Sequence, residues 1–137
     1  MGRRKRKQIG GLIVQKLTWK YVKPLHDNQA VTVFLQKNSV TLPEDLVDFL
    51  TSNNGGRPSE KLFNTDKGKG YVFKSLLSYN DEDKENIGKV YPRLFEGTTL
   101  YPIGSDASGN FVCYDMVSKQ YILLKHETNS REIIELY

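Results

Sequence analysis

One cysteine and two histidines are all that 137 residues offer to thiol and imidazole chemistry. A lone Cys113 excludes an internal disulfide and any cysteine-based zinc site, and it fits a reducing compartment. Long apolar runs are also missing: nothing approaches the roughly 20 residues that cross a bilayer. The N-terminus opens with the charges of a signal peptide. However, Ile9 to Val14 is short, is broken by Gly10 and Gly11, and has no small-residue cleavage site. The sequence therefore argues against secretion and against a membrane, and places the chain in the cytoplasm. No internal repeat and no long Pro-, Ser- or Gly-rich linker divides it. Its length, its 38% hydrophobic content and its 26% charged content are those of one ordinary globular domain.

The net charge of +4 is unevenly spread. Arg3, Arg4, Lys5, Arg6 and Lys7 form a basic run that repels itself, so residues 1–11 read as a disordered tail and residues 12–137 as the domain. The tail has the charge to meet nucleic acid or an anionic surface, because each neutralised phosphate releases counterions. It has equally the composition of a solvated chain start. The rest of the chain is nearly neutral but dipolar, with a basic excess in residues 8–79 and an acidic excess in residues 80–137.

Hydrophobic spacing predicts a first helix from about Asp27, as N-cap, to Asn38, with Ala30, Val31, Phe34 and Leu35 on one face. A second helix is predicted from Thr41 and Glu44 at capping-box spacing, with Pro43 in its first turn. Leu42, Leu46, Phe49 and Leu50 form its buried stripe, and Asn53-Asn54-Gly55-Gly56 ends it, with one of the two glycines at positive φ. Tyr71–Phe73 suggests a short strand. Asn80 is placed to cap a polar helix over Asp81–Val90, stopped by Tyr91-Pro92. The last third predicts antiparallel strands at Leu100–Ile103, Phe111–Met116 and Tyr121–Lys125, with a turn drawn from Gly104, Asp106, Ser108, Gly109 and Asn110. Helices first and a strand meander later make an α+β domain, with N-terminal helices packed on a mainly antiparallel sheet.

No catalytic or metal-binding constellation assembles from these residues. No serine stands in a Gly-x-Ser-x-Gly elbow. Cys113 with His126 has the composition of a thiolate pair, but a mid-strand cysteine between Val112 and Tyr114 reads as a small buried hydrophobe. Gly68-Lys69-Gly70 lacks the spacing of a phosphate loop. Asp106, Ser108 and Asn110 alternate like calcium ligands, yet Phe111 and Val117 stand where that loop needs glycine and glutamate. The aromatic residues sit inside apolar runs rather than alternating with arginine, which is a poor base-stacking platform. The expectation is a binding protein, not an enzyme, without metal or cofactor.

The order of motifs adds a resemblance. Leu42-Pro43-Glu44-Asp45-Leu46, then Phe49-Leu50 and Asn54-Gly55-Gly56, resembles the opening signature of the SUKH (Smi/Knr-like) superfamily. Trp19 upstream and Leu76–Asn80 with Asp83–Ile87 downstream are similar to a bacterial branch of it. Ile103-Gly104-Ser105-Asp106, Gly109-Asn110 and Val112–Asp115 resemble its second signature, with His126-Glu127 after the last strand. The resemblance spans about residues 19–127, leaves out the basic run, and departs from members that continue into a further C-terminal helix. Here the apolar Ile133, Ile134, Leu136 and Tyr137 read as a shortened version of that helix or as an edge strand.

The resemblance implies an α+β fold and a bacterial immunity protein that binds and neutralises a cognate secreted toxin, such as a nuclease. The matched residues (Trp19, Leu42, Pro43, Asn54, Gly55, Gly56, Ile103, Gly104, Asp106, Gly109, Asn110, Cys113, His126 and Glu127) look like determinants of fold rather than of catalysis. For the docking surface, charge complementarity singles out Asp81, Glu82, Asp83 and Glu85 on the polar helix, with Tyr79 as an exposed aromatic neighbour. A nucleic-acid-associated protein using Arg3–Lys7 is the alternative.

Overall fold

A computed structural model describes residues 18–135. Hydrophobic spacing produces the two N-terminal helices where it predicts them, although their starts differ. Helix α1 is Ala30–Lys37. Asp27 lies three residues ahead of it and uses its carboxylate on the Gln29 N–H in a local turn, so Asp27 is not the N-cap. Helix α2 is Glu44–Ser52, and its N-cap is Pro43 in an extended conformation (φ −57°, ψ 144°). The predicted Thr41–Glu44 capping box does not form. Val31, Leu35, Leu46 and Leu50 are the buried residues of these helices, while Phe34 and Phe49 are partly buried against the core.

The third helix differs more. Of the predicted span Asp81–Val90 only Ile87–Val90 is helical; α3 is Ile87–Leu94, capped by Asn86, whose Oδ1 accepts the Lys89 N–H at 3.1 Å. Pro92 lies inside its last turn instead of stopping it. The carbonyl left without a donor is four residues back at the exposed Gly88, where water can serve it.

Strands β1 (Trp19–Lys20) and β2 (Arg57–Pro58) pair as a small sheet. Strands β3 (Leu62–Phe63), β4 (Tyr71–Leu76), β5 (Leu100–Asp106), β6 (Phe111–Asp115), β7 (Tyr121–Lys125) and β8 (Ser130–Ile133) form a six-stranded antiparallel sheet in sequence order. The chain is thus a single α+β domain. Gly104 and Asp106 belong to β5, not to the turn after it. The register shifts between Pro102 and Gly104, and a Cβ on Gly104 would meet the Phe73 ring at 2.7 Å and the Ser75 carbonyl at 2.8 Å. Strand β6 is covered on both faces, with Val112 and Cys113 wholly buried.

The sheet curls until its two edges meet. Thr65 bridges Ile134, the Asp66 N–H reaches the Ile133 carbonyl at 2.8 Å, and the Glu135 N–H reaches Asn64 at 2.9 Å. This joins the segments beyond β3 and β8, so neither edge is left fully open there. Ile133 and Ile134 are therefore edge-strand residues and not a helical remnant, and His126-Glu127 lies before β8 rather than after the last strand. Leu136, Tyr137 and the Arg3–Lys7 run lie outside the described residues. No helix among the described residues is long and apolar enough to cross a membrane.

Candidate functional site

Three separated segments meet beside β4: residues 19–26, the turn after α2, and the loop between β4 and α3. A buried polar network joins them. Asn54, 1% exposed, donates from Nδ2 to the Lys23 carbonyl (2.8 Å) and to Ser78 Oγ (3.0 Å), and its Oδ1 accepts the Tyr79 N–H (2.8 Å). Its own carbonyl accepts the Lys23 N–H at 2.7 Å. Asn80 donates to the Pro24 carbonyl at 3.0 Å and accepts the His26 N–H at 3.1 Å. Asn80 is thus occupied by the N-terminal segment instead of capping a helix.

The acidic stretch 81–85 is the loop that this network holds. The Ser78 hydroxyl donates to Asp83 Oδ2 at 2.6 Å. Glu85 pairs with Lys74 at 2.5 Å and Glu82 with the His26 imidazole. Asp81 and Glu82 are exposed. Together these elements border a groove of about 720 Å³, whose lining includes Tyr21, Lys23 and Arg57, Lys74 and Ser75 of β4, and Glu82–Glu85.

Tyr79 is not the exposed aromatic the sequence suggests. Its ring packs edge-on against Phe34 and its hydroxyl meets that of Tyr101 at 2.6 Å, both part of the core side of the domain. Burial pushes the Tyr79 phenol well above its ordinary range.

The Asn-Gly-Gly turn takes the shape its residues imply. Gly55 has φ +69°, and the stem of Lys23 lies over it: an added Cβ would meet Lys23 Cδ at 3.1 Å. Gly55→Val is expected to destabilise the domain by about 1–3 kcal/mol, because a β-branched residue resists this backbone. Gly55→Asn should cost clearly less, since asparagine tolerates the left-handed region. Denaturant titration of both variants tests this, and equal costs would show the conformation to be unimportant.

His26 and Glu82 couple the N-terminal segment to the loop, and each shifts the other. The hydrogen bond to Glu82 and then its charge raise the His26 pKa above 6.5. The bond from His26, with a local backbone N–H, lowers that of Glu82 below 4.5. A raised histidine contributes below its unfolded pKa and is lost as pH rises through the folded one. A depressed carboxylate contributes above its unfolded pKa and is lost as pH falls through the folded one. The latch is therefore strongest between about pH 4.5 and 6.5. In an NMR titration, Glu82→Gln should bring the His26 midpoint down; an unmoved midpoint would refute the coupling.

The remaining candidate residues are structural in their surroundings. Trp19 packs edge-on against Phe49 and Phe73, with centroids at 5.2 and 5.9 Å. Leu42 and Ile103 are buried in the core, and Gly56 lies under Val22 and Trp19. Asp106 closes the β5–β6 turn around Gly109 (φ +87°), accepting from the Ser108 and Asn110 N–H groups and from the Asn110 side chain. Asn110 Oδ1 in turn accepts the His126 N–H at 3.1 Å. Cys113 is wholly buried opposite Ile122, its thiol pushed up by burial, while His126 and Glu127 stand exposed in the β7–β8 turn. Cysteine and histidine do not form a reactive pair. Among the described residues, no group of three or more His, Cys, Asp or Glu side chains is placed to hold a metal ion.

Sequence reasoning missed a second polar cluster at the sheet seam. Glu132, 8% exposed, accepts from Thr65 Oγ1 and the Tyr71 hydroxyl, both at 2.7 Å, and lies 3.5 Å from Lys125 Nζ. Burial would raise its pKa, but these hydrogen bonds and the Lys125 charge outweigh it and hold the carboxyl below its usual value. A lone glutamate between Arg131 and Ile133 carries no local signal of such a site.

Helices on a curled antiparallel sheet, with a groove bordered by loops, define an α+β domain. The family model SUKH_6, described as SMI1-KNR4 cell-wall, matches residues 30–135, and the chain belongs to this family. Comparison with characterised proteins and with solved structures gives no match.

Proposed function

We propose that this SUKH protein is an immunity protein: a cytoplasmic binding protein, not an enzyme, that neutralises a cognate polymorphic toxin by occluding it. Family membership supports the general reading, since bacterial members of this superfamily include immunity proteins. The observation that carries it to a surface is the loop 81–85. Its exposed Asp81 and Glu82 carboxylates ride on a buried Asn54–Ser78–Asn80 framework. A preorganised acidic rim loses little freedom on binding, and it speeds encounter with a basic partner such as a nuclease.

Co-expression with the product of the adjacent gene is the test. The chain should restore growth and co-elute with the toxin at fixed stoichiometry; neither protection nor complex would refute the reading. Glu82→Lys with Asp83→Lys should slow association by tenfold or more at low salt, on the order seen for steering charges. An unaltered association rate would remove the loop from the interface.

A further inference from the structure

The groove carries a charge pattern different from that of its rim. Each carboxylate lining it already has a protein partner: Glu85 has Lys74, Glu82 has His26, and Asp83 has the Ser78 hydroxyl. The cations do not balance in the same way. Among the described residues, Lys23, Arg57 and Lys84 line the groove without an ion pair. Lys23 and Arg57 belong to adjoining segments, joined where Asn54 binds both the N–H and the C=O of Lys23. The Lys23 stem lies against Gly55, with its Cβ, Cγ and Cδ all near the place a Gly55 Cβ would take.

Tyr21 adds an independent mark on the same side. It is 75% exposed, lines the groove, and is held at φ 56°, a conformation that a bulky residue rarely adopts. Strained backbone of this kind concentrates at functional sites. Tyrosine and arginine are also the side chains enriched at the energetic centres of protein interfaces.

We propose that this groove receives a polypeptide segment of the partner that presents acidic side chains to Lys23 and Arg57, with Tyr21 packed against it. This deepens the immunity reading by giving the chemistry of what enters beside the acidic loop. The mixed charge of the lining favours polypeptide over nucleic acid. A phosphodiester chain is anionic at every step and would meet Glu82, Asp83 and Glu85 in the same groove, whereas a peptide spaces its carboxylates among neutral backbone groups. The partner surface is then mixed in sign, basic where it meets the loop and acidic where it enters the groove.

The test needs no toxin, so its result is separable from that of the immunity reading. The isotope-labelled full chain is titrated at low salt with the blocked peptide acetyl-Glu-Gly-Glu-Gly-Glu-Gly-amide, with its lysine counterpart, and with a thymidine hexanucleotide. The acidic peptide should shift the amides of Tyr21, Lys23, Gly55 and Ser75 saturably, and added salt should reverse the shifts. Lys23→Glu with Arg57→Glu should weaken it by about tenfold or more, whereas Lys37→Glu on the exposed side of α1 should not change it. Absence of saturable shifts overturns the proposal. So does equal or tighter binding of the lysine peptide at the same amides. Displacement of the acidic peptide by the hexanucleotide at lower concentration would assign the groove to nucleic acid instead.

Discussion

Asn54→Ala is expected to lower the stability of the domain by about 2–4 kcal/mol, among the larger costs for a single polar truncation. The side chain is almost wholly buried and makes three hydrogen bonds, to Lys23, Ser78 and Tyr79. Alanine leaves the Tyr79 N–H and the Lys23 carbonyl without their partner, and a buried group stripped of its partner costs more than the bond was worth. The effect should also be local. Lys23 would keep only its backbone bond to residue 54, so the wall of the groove should loosen before the sheet does. Amide exchange at Lys23 and Tyr79 should quicken well beyond what the global stability loss accounts for, while exchange at Val112 and Leu123 should follow global unfolding. A loss under about 1 kcal/mol with unchanged exchange at Lys23 would show that the network is dispensable.

The same asparagine shows how far sequence carries. Asn53-Asn54-Gly55-Gly56 is legible as a helix end because its chemistry is local: small polar residues and glycine accept the backbone that leaves a helix. That Asn54 also reaches across to Lys23 and Tyr79 is not local, and nothing in its neighbours signals it. The misplacement of α3 has a similar cause. Asn80 and Asn86 are equally good caps, and the acidic residues 81–85 suit a helix N-terminus. Asn80 is claimed instead by Pro24 and His26, which lie far away in sequence, so the helix starts at the next available cap.

The sheet divides along the same line. Strands β5, β6 and β7 are legible because β-branched and aromatic residues cluster in them between turn formers. The curl is not, because it depends on Thr65 meeting Ile134 and on Gly104 allowing Phe73 and Ser75 to approach β5. The groove is the least legible feature. It is made of residues from β4 and three further segments, and its charge pattern exists only after Lys74, His26 and Ser78 have taken the carboxylates.

Asp106→Ala should cost about 3–5 kcal/mol, the largest polar effect expected in this chain, because it strands the two buried Asn110 donors at once and frees the Ser108 N–H as well. Asp106 is 2% exposed and Asn110 is 4% exposed. Asp106 Oδ1 accepts the Ser108 and Asn110 N–H groups at 3.0 and 2.8 Å, and Oδ2 accepts Asn110 Nδ2 at 2.9 Å. The more instructive variant is Asp106→Asn, which is nearly isosteric. It keeps the acceptor for the two backbone groups but turns a second donor toward Asn110 Nδ2. Flipping the Asn110 amide gives no relief, because its oxygen is needed by the His126 N–H and the flip would set two donors against each other there. Asp106→Asn alone should therefore cost about 2–3 kcal/mol. Adding Asn110→Asp exchanges the two groups. The amide at 106 then donates to a carboxylate at 110, whose second oxygen still accepts from His126, and every bond is restored. The double variant should recover most of the loss, giving a favourable coupling of about 2 kcal/mol in a double-mutant cycle. Additive costs for the two substitutions would mean that the turn is held by its backbone conformation and that this hydrogen-bond chain is incidental.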